Sequence, residues 1–145
     1  MMPLADDRVV ALIAAAREAR EHAYAPYSSF QVGAALLGRS GRIHLAANVE
    51  SASYGLTVCA ERNAVARAVF DGEREFAALA IFADCDPVAS PCGACRQVLS
   101  EFCPAELPVV MTNGRGAPRI EPLGFLLPHA FSRGPRNPSD RERAV

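Results

Sequence analysis

The sequence has no tryptophan, no long apolar run and almost no net charge, and these absences exclude several classes of protein. A formal net charge of -1 over 145 residues leaves no basic surface for tight binding to a nucleic-acid backbone. The most apolar stretches, residues 9–16 and 77–83, are far shorter than the roughly 20 residues that cross a bilayer. The composition therefore favours a protein that binds a small molecule, with neither a nucleic-acid nor a membrane partner.

A secretory signal is not expected, because no basic region precedes an apolar one near the N-terminus. We therefore expect a cytoplasmic protein. The five cysteines are an odd number, and in a reducing compartment thiols serve more often as metal ligands or buried side chains than in disulfides. The length fits one domain, which we place at residues 1–131, followed by a flexible tail at 132–145.

Helical and strand patterns alternate along the chain after an initial hairpin. Asp6 and Asp7 are expected to cap the first helix. The predicted helices cover residues 6 to about 22, 59–70 and 93–102. The predicted strands cover residues 30–37, 42–47, 76–83 and 108–112, and a polar loop covers 48–56. This order of elements indicates an α/β sandwich with a mixed sheet.

Three cysteines lie at predicted helix starts, in a Cys-x-Glu motif at Cys59 and a Pro-Cys-x-x-Cys motif at Cys92 and Cys95. Three thiolates can bind one zinc ion and leave the fourth tetrahedral position for water. The Cys-x-x-Cys pair alone could equally be a buried structural pair or half of a closed structural zinc site. A closed site needs a fourth ligand, and neither Cys85, Cys103 nor any histidine has ligand-like spacing. We therefore predict an open zinc site.

Glu61 lies two residues after Cys59 and is better suited to carrying protons than to binding the metal. Zinc lowers the pKa of its water, and a carboxylate within hydrogen-bond reach can accept that proton. Because three thiolates make the site negative, a cation should offset their charge by bonding a sulfur. Arg62 is the predicted cation and Arg96 the weaker alternative. The plainer interpretations are an exposed first-turn glutamate and a solvated arginine.

These motifs lie in longer blocks, at residues 27–35, 48–62 and 91–98, that resemble the homotetrameric zinc-dependent cytidine deaminases of pyrimidine salvage. The similarity extends from about Tyr27 through Phe131. It implies a three-layer α-β-α sandwich with a mixed central sheet of about five strands. It also implies one Zn²⁺ per subunit on the three cysteines, and hydrolysis of cytidine and deoxycytidine to uridine and deoxyuridine with release of ammonia.

The resemblance assigns Glu61 the proton transfers and gives other residues contacts with the nucleoside. Phe30 matches the position whose ring packs against the pyrimidine, and Asn48 and Glu50 match the pair that hydrogen-bonds the ribose 3′-hydroxyl. Without the resemblance, Phe30 could equally be a core aromatic at a strand start. Asn48 and Glu50 could equally cap a turn.

Four further residues, Ala52, Tyr54, Ala60 and Phe131, match substrate-binding positions of the family. The resemblance implies that the Ala52 backbone and the Tyr54 side chain reach a neighbouring subunit's substrate, and that Phe131 closes another neighbour's site. These contacts require the homotetramer. The sequence departs from the family at Gln31, where proline is common, and this change is expected to loosen the strand start without altering the chemistry.

Three other functions fit parts of the pattern. A deaminase of another free aminopyrimidine nucleoside, related to blasticidin S, would share the zinc and the glutamate, although Asn48-Val49-Glu50 favours an ordinary ribose. A polynucleotide editor would need a basic groove and stacking extensions, which this composition does not obviously supply. A non-catalytic zinc-stabilised module that binds nucleosides or a partner would have no need of Glu61.

Overall fold

The structure is a computed structural model that describes residues 5–134. Within that range one sheet contains five strands in the order β2-β1-β3-β4-β5. The strands are β1 (Val32–Gly38), β2 (Ile43–Ala47), β3 (Phe76–Ala83), β4 (Pro108–Thr112) and β5 (Arg119–Pro122). β3 and β4 run parallel, whereas the other neighbouring pairs are antiparallel. The mixed five-stranded sheet confirms the predicted fold class.

Helices cover both faces of this sheet and create the three layers. They are α1 (Asp6–Arg20), α2 (Ala60–Phe70), α3 (Gly93–Phe102) and the short α4 (Leu123–Leu126). Successive side chains of β1 point to opposite faces, so Ala35 and Leu37 pack with α1 while Leu36 packs with α2 and α3. All seven positions of β1 are buried, as expected for a strand that is covered on both faces.

The contact between α1 and β1 depends on a glycine. A Cβ atom on Gly33 would lie 1.9 Å from the Ala16 carbonyl oxygen, so any side chain there would push the helix off the sheet. Leu12 and Ala16 are buried by this close approach. The first helix therefore packs directly against the sheet.

The connections place the starts of α2 and α3 close together over the sheet. The chain leaves β2, passes through residues 48–59 and enters α2, whereas residues 84–92 lead from β3 into α3. α3 then returns the chain to β4, parallel to β3, which is the usual role of a crossover helix. Among residues 5–134, none of the helices has the length and apolar character that spanning a bilayer requires.

Several predicted boundaries are wrong, and each difference has a local cause. α1 ends at Arg20 because Glu21 and His22 continue in a tighter turn, donating to carbonyls only three residues back. Asp6 and Asp7 do not cap α1; they lie in its first turn, where their charge suits the helix dipole.

At the start of β1 and near the C-terminus the prediction also differs from the structure. β1 begins at Val32 because the residues before it form a turn whose backbone is hydrogen-bonded by the side chains of Asn48 and Glu50. β5 and α4 were not predicted, since β5 has only four residues and contains proline. Of the predicted tail at 132–145, everything after Gly134 lies outside the described residues, and the domain boundary stays a prediction.

Candidate metal centre and catalytic site

Cys59 and Cys92 occupy equivalent positions, each directly before the first residue of its helix. Both have extended backbone, with φ of -68° and ψ of 155° for Cys59 and φ of -65° and ψ of 166° for Cys92. Neither thiol caps its own helix in the described structure, so both remain available for a shared ligand. Cys95 follows in the first turn of α3 and is fully buried.

The three sulfurs converge with spacings that suit one zinc ion. Cys92 Sγ lies 3.7 Å from Cys59 Sγ and 3.5 Å from Cys95 Sγ, and all three sulfurs lie within 4.8 Å of one another. Zn–S bonds of about 2.3 Å in a tetrahedron would separate the sulfurs by roughly 3.8 Å. Within residues 5–134 no other group of three or more cysteine, histidine or acidic side chains converges in this way.

The candidates for a fourth protein ligand lie elsewhere. His44 is buried between two carboxyl groups, with its Nε2 atom 2.9 Å from Glu73 and its Nδ1 atom 3.4 Å from Asp71. Cys103 is buried at the end of α3, and burial raises the pKa of its thiol to about 12, so it remains protonated. Among residues 5–134 the group that could hold a metal ion therefore contains three sulfurs, as an open site requires.

Hydrogen bonds stabilise a thiolate at Cys59. The pKa of Cys59 is lowered to about 5, chiefly by the hydrogen bond from the Cys95 thiol. Arg62 lowers this pKa further, whereas burial raises it. Arg62 Nη2 lies 3.8 Å from Cys59 Sγ and also donates to the Thr57 carbonyl at 3.3 Å. Arg62 Nε is buried and has no partner within the described part of the chain. The guanidinium thus faces the sulfur cluster, where its charge favours thiolate.

Glu61 is the second residue of α2 and is buried, with 5% of its surface exposed. Burial raises the pKa of Glu61 to about 7, while hydrogen bonds to its own backbone N–H and to the Cys95 thiol act in the opposite direction. The interpretation as an exposed first-turn glutamate is therefore wrong. A carboxyl group with a pKa near neutrality can both accept and return a proton at neutral pH.

Asn48 and Glu50 bind the backbone in front of β1. Asn48 donates from Nδ2 to the Phe30 carbonyl at 2.8 Å and accepts at Oδ1 from the Val32 N–H at 2.9 Å. Glu50 Oε1 accepts the N–H groups of Tyr27 and Ser28, and its Oε2 accepts the Ser28 hydroxyl. These hydrogen bonds lower the pKa of Glu50, and the bond from the Ser28 hydroxyl contributes most. Burial acts in the opposite direction.

Phe30 is held by these contacts with 43% of its surface exposed, so it is not a core aromatic. Gln31, next in the chain, accepts a hydrogen bond at its carbonyl from Arg20 Nε at 3.2 Å, so this strand start is bound to α1. The ring of Phe30 therefore has an open face beside an anchored backbone.

The residues predicted to act between subunits, Ala52, Tyr54 and Phe131, lie on the surface, whereas Ala60, predicted only to bind substrate, does not. Tyr54 and Phe131 are 74% and 70% exposed, Ala52 is also exposed, and Ala60 is completely buried at the start of α2. The Phe131 carbonyl accepts a hydrogen bond from Gln97 Nε2 at 3.1 Å. This exposure is compatible with contacts to a neighbouring chain, and the assignments stay predictions.

Sequence and structure comparisons place this geometry among known proteins. The profile of the cytidine and deoxycytidylate deaminase zinc-binding region matches residues 7–111. A cytidine deaminase of Sporosarcina psychrophila is 52% identical over 122 residues, which cover 84% of this chain and 90% of the relative. The chain belongs to the cytidine and deoxycytidylate deaminase family.

Solved structures of cytidine deaminases share the fold. The enzyme from Burkholderia pseudomallei superposes with a TM-score of 0.81 at 51% identity, covering 84% of this chain and 98% of that chain. The enzyme from Mycobacterium tuberculosis gives a TM-score of 0.74 at 42% identity, covering 89% of this chain and 99% of that chain. A zinc-binding family domain and a cysteine group that could hold a metal ion together support the predicted cofactor.

For two polar residues of this deaminase-family chain the sequence did not predict the observed contacts. Asn63 donates from Nδ2 to the Ala47 carbonyl at 3.0 Å, which binds the first turn of α2 to the end of β2. Arg96 was weighed only as a partner for sulfur, but its three nitrogens donate to oxygens instead. The sequence offered one signal, which is that each residue directly follows a proposed catalytic or metal-binding motif. That position does not reveal which carbonyl or hydroxyl oxygen accepts the hydrogen bond.

Proposed function

We propose that this chain is a zinc-dependent enzyme that hydrolyses cytidine and deoxycytidine to uridine and deoxyuridine with release of ammonia. The observation that carries the proposal is the buried Glu61 carboxyl beside three converging sulfurs, with a pKa of about 7. Relatives at 52% and 50% identity over most of their length are cytidine deaminases, which supports the choice of substrate.

Cys59, Cys92 and Cys95 would hold one zinc ion, because their sulfur separations match those of tetrahedral zinc. When bound, zinc supplies a water molecule of lowered pKa next to the substrate. Arg62 would offset part of the thiolate charge, since its guanidinium lies against Cys59 Sγ. A less negative donor set favours a more acidic water.

Glu61 would move each proton of the reaction. Deamination adds one water at C4 of the base and expels the 4-amino group as ammonia, while the ring N3 atom is protonated in between. Glu61 accepts a proton from the water, gives one to N3, and passes the second water proton to the departing nitrogen. Because the pKa of Glu61 is about 7, both of its protonation states are accessible near neutral pH.

Phe30, Asn48 and Glu50 would hold the nucleoside. The exposed ring of Phe30 offers a flat apolar face to the pyrimidine. Glu50 already accepts three hydrogen bonds, and a carboxylate has about four acceptor positions, so one remains for a ribose hydroxyl. Asn48 Nδ2 has a second hydrogen besides the one given to Phe30, which it can donate to the same hydroxyl.

We further propose a cytoplasmic homotetramer in pyrimidine salvage, in which Ala52, Tyr54 and Phe131 complete the sites of neighbouring chains. Exposed apolar side chains support an interface there, since Tyr54, Leu56 and Phe131 each leave at least 70% of their surface in solvent. Sedimentation equilibrium should give four times the chain mass. A monomer with full activity would contradict this assembly.

The activity is tested by following the near-ultraviolet absorbance of cytidine with purified wild type and Glu61→Gln. The substitution keeps the shape of the side chain but removes the proton acceptor, so kcat should fall by about 10³-fold or more. Zinc content and nucleoside binding should stay near the wild-type level. Glu18→Gln, at an exposed position of α1, is the control and should retain full activity. A wild-type rate for Glu61→Gln would favour a non-catalytic binding module.

A further inference from the structure

We propose that Arg96 is a positioning residue that orients Cys92 for metal binding and, together with Gln97, joins the metal-binding loop to the segment that carries Phe131. The proposal rests on the proposed function for the identity of metal and substrate. It requires no contact between Arg96 and the reacting atoms.

The segment before Cys92 has little regular structure to determine its position. Residues 84–92 connect β3 to α3 without forming part of a helix or strand. Arg96 Nε donates to the Pro91 carbonyl at 2.7 Å, and Arg96 Nη2 donates to Ser90 Oγ at 2.8 Å. The Pro91 carbonyl belongs to the planar peptide unit that contains the Cys92 nitrogen. Holding that oxygen therefore orients the backbone from which the Cys92 thiol projects.

The third donor of Arg96 reaches a distant part of the chain. Arg96 Nη1 donates to the Leu126 carbonyl at 2.6 Å, at the end of α4. A guanidinium is planar and presents its donors in a rigid fork, so three acceptors in different directions are bound at once. A lysine ammonium on a flexible stem would not hold the same three oxygens in one geometry.

Gln97 binds the same C-terminal segment a few residues later. Its Nε2 atom donates to the Phe131 carbonyl at 3.1 Å. Between the two anchored carbonyls lies His129, which has a φ of 53°, an uncommon left-handed conformation for a residue other than glycine. Adjacent side chains of α3 therefore hold both ends of a segment whose own helix has four residues. Arg96 thus contacts both this segment, at the Leu126 carbonyl, and the Pro91 carbonyl before Cys92.

The experiment measures zinc release to a colorimetric chelator from full-length, zinc-loaded Arg96→Ala and Arg96→Lys. We expect release about tenfold faster from Arg96→Ala, the scale seen when groups that orient metal ligands are removed. Arg96→Lys should fall between Arg96→Ala and wild type, because a single ammonium retains part of the contact. Arg115→Ala is the matched control. This variant removes an exposed guanidinium that pairs with Asp84 at 2.7 Å, at the other end of residues 84–92. It should release zinc at the wild-type rate.

Two further variants separate positioning from general destabilisation. Ile81→Val trims the buried core of β3 and should lower Tm without changing zinc release. Gln97→Ala should also leave zinc release unchanged but raise KM for cytidine several-fold with kcat nearly constant, since only the Phe131 segment loses an anchor.

Zinc release at the wild-type rate from Arg96→Ala would overturn the proposal, as would equally fast release from Ile81→Val. If Arg96→Ala does not fold, Arg96→Lys decides, and a wild-type release rate for that variant would likewise overturn it. Failure of the proposed function has a different signature, in which wild type binds zinc but does not convert cytidine while the zinc-release results remain as expected.

Discussion

The starts of α2 and α3 share one backbone pattern but place different chemistry around it. Cys59 and Cys92 each precede their helix with extended backbone, and each is followed within four residues by an arginine. Arg62 faces the Cys59 sulfur, whereas Arg96 binds oxygens in the connecting segments. In the proposed roles, the same residue type at nearly the same spacing adjusts charge at one helix start and backbone position at the other.

The two helix starts also differ in whether they carry an acidic residue. The second residue after Cys59 is the buried Glu61, whereas the second residue after Cys92 is the exposed Ala94. In the proposed mechanism α2 therefore supplies the proton carrier and the charge partner, while the start of α3 supplies two of the three sulfurs. The proposed proton carrier therefore lies on α2 alone, whereas the three sulfurs come from both helix starts, so proton transfer can be disturbed without removing a metal ligand.

The largest expected effect is common to both starts. Cys59→Ser and Cys92→Ser should each lose bound zinc and lower kcat by more than about 10³-fold, because a serine hydroxyl does not ionise as a thiol does. Metal content by atomic absorption and cytidine turnover measure the two losses. Cys85→Ser, outside the cluster, should keep its zinc. Full zinc content in either ligand variant would remove that helix start from the site.

A smaller effect should separate the two arginines. Arg62→Gln removes the positive charge beside Cys59, so kcat should fall by about 10- to 100-fold. Zinc release should accelerate less than in Arg96→Ala, because the Cys92 backbone is untouched. Arg67→Gln on the same helix, which loses an exposed bond to the Leu45 carbonyl, is the control and should keep nearly full activity. Equal kcat for Arg62→Gln and Arg67→Gln would contradict a role at the sulfur.

The smallest expected effect is a change in thermal stability at Glu50. This side chain accepts hydrogen bonds from backbone N–H groups, whereas Arg96 donates to backbone carbonyls. Because the pKa of Glu50 is lowered in the folded protein, its ionised form contributes stability above about pH 5, where an unfolded glutamate of pKa about 4.3 is ionised. That contribution is lost as the pH falls through the lowered value. The Tm difference between wild type and Glu50→Gln should therefore be constant from pH 5 to 8 and shrink towards pH 3. A difference independent of pH would show that the charge of Glu50 does not matter.

Much of the candidate site could be predicted because its chemistry belongs to residue types. A thiolate suits the metal-ligand role given to Cys59, Cys92 and Cys95, and a carboxylate suits the proton-carrier role given to Glu61. The structure brings the three sulfurs together. The hydrogen bonds that Glu50 accepts from Tyr27 and Ser28 were not predicted, since these partners lie 23 and 22 residues away in sequence. Contacts at that separation depend on the path of the loop, which composition and periodicity do not specify.

The same limit applies to Arg96. Leu126 lies 30 residues beyond it, and nothing in the local pattern indicates that α4 would end beside α3. β5 was missed for a related reason, because a short edge strand gains its order from pairing with β4 rather than from its own sequence.

By itself, the sequence determined which atoms could bind zinc and which could carry a proton, because sulfur and carboxyl chemistry are properties of the side chains. It also determined most helices and strands, through local apolar periodicity. Only the tertiary structure decided that three sulfurs from two helix starts lie within 4.8 Å, and that Glu61 is buried deeply enough for a pKa of about 7. Both depend on two separate connections meeting over one sheet, and desolvation arises only when the layers pack together.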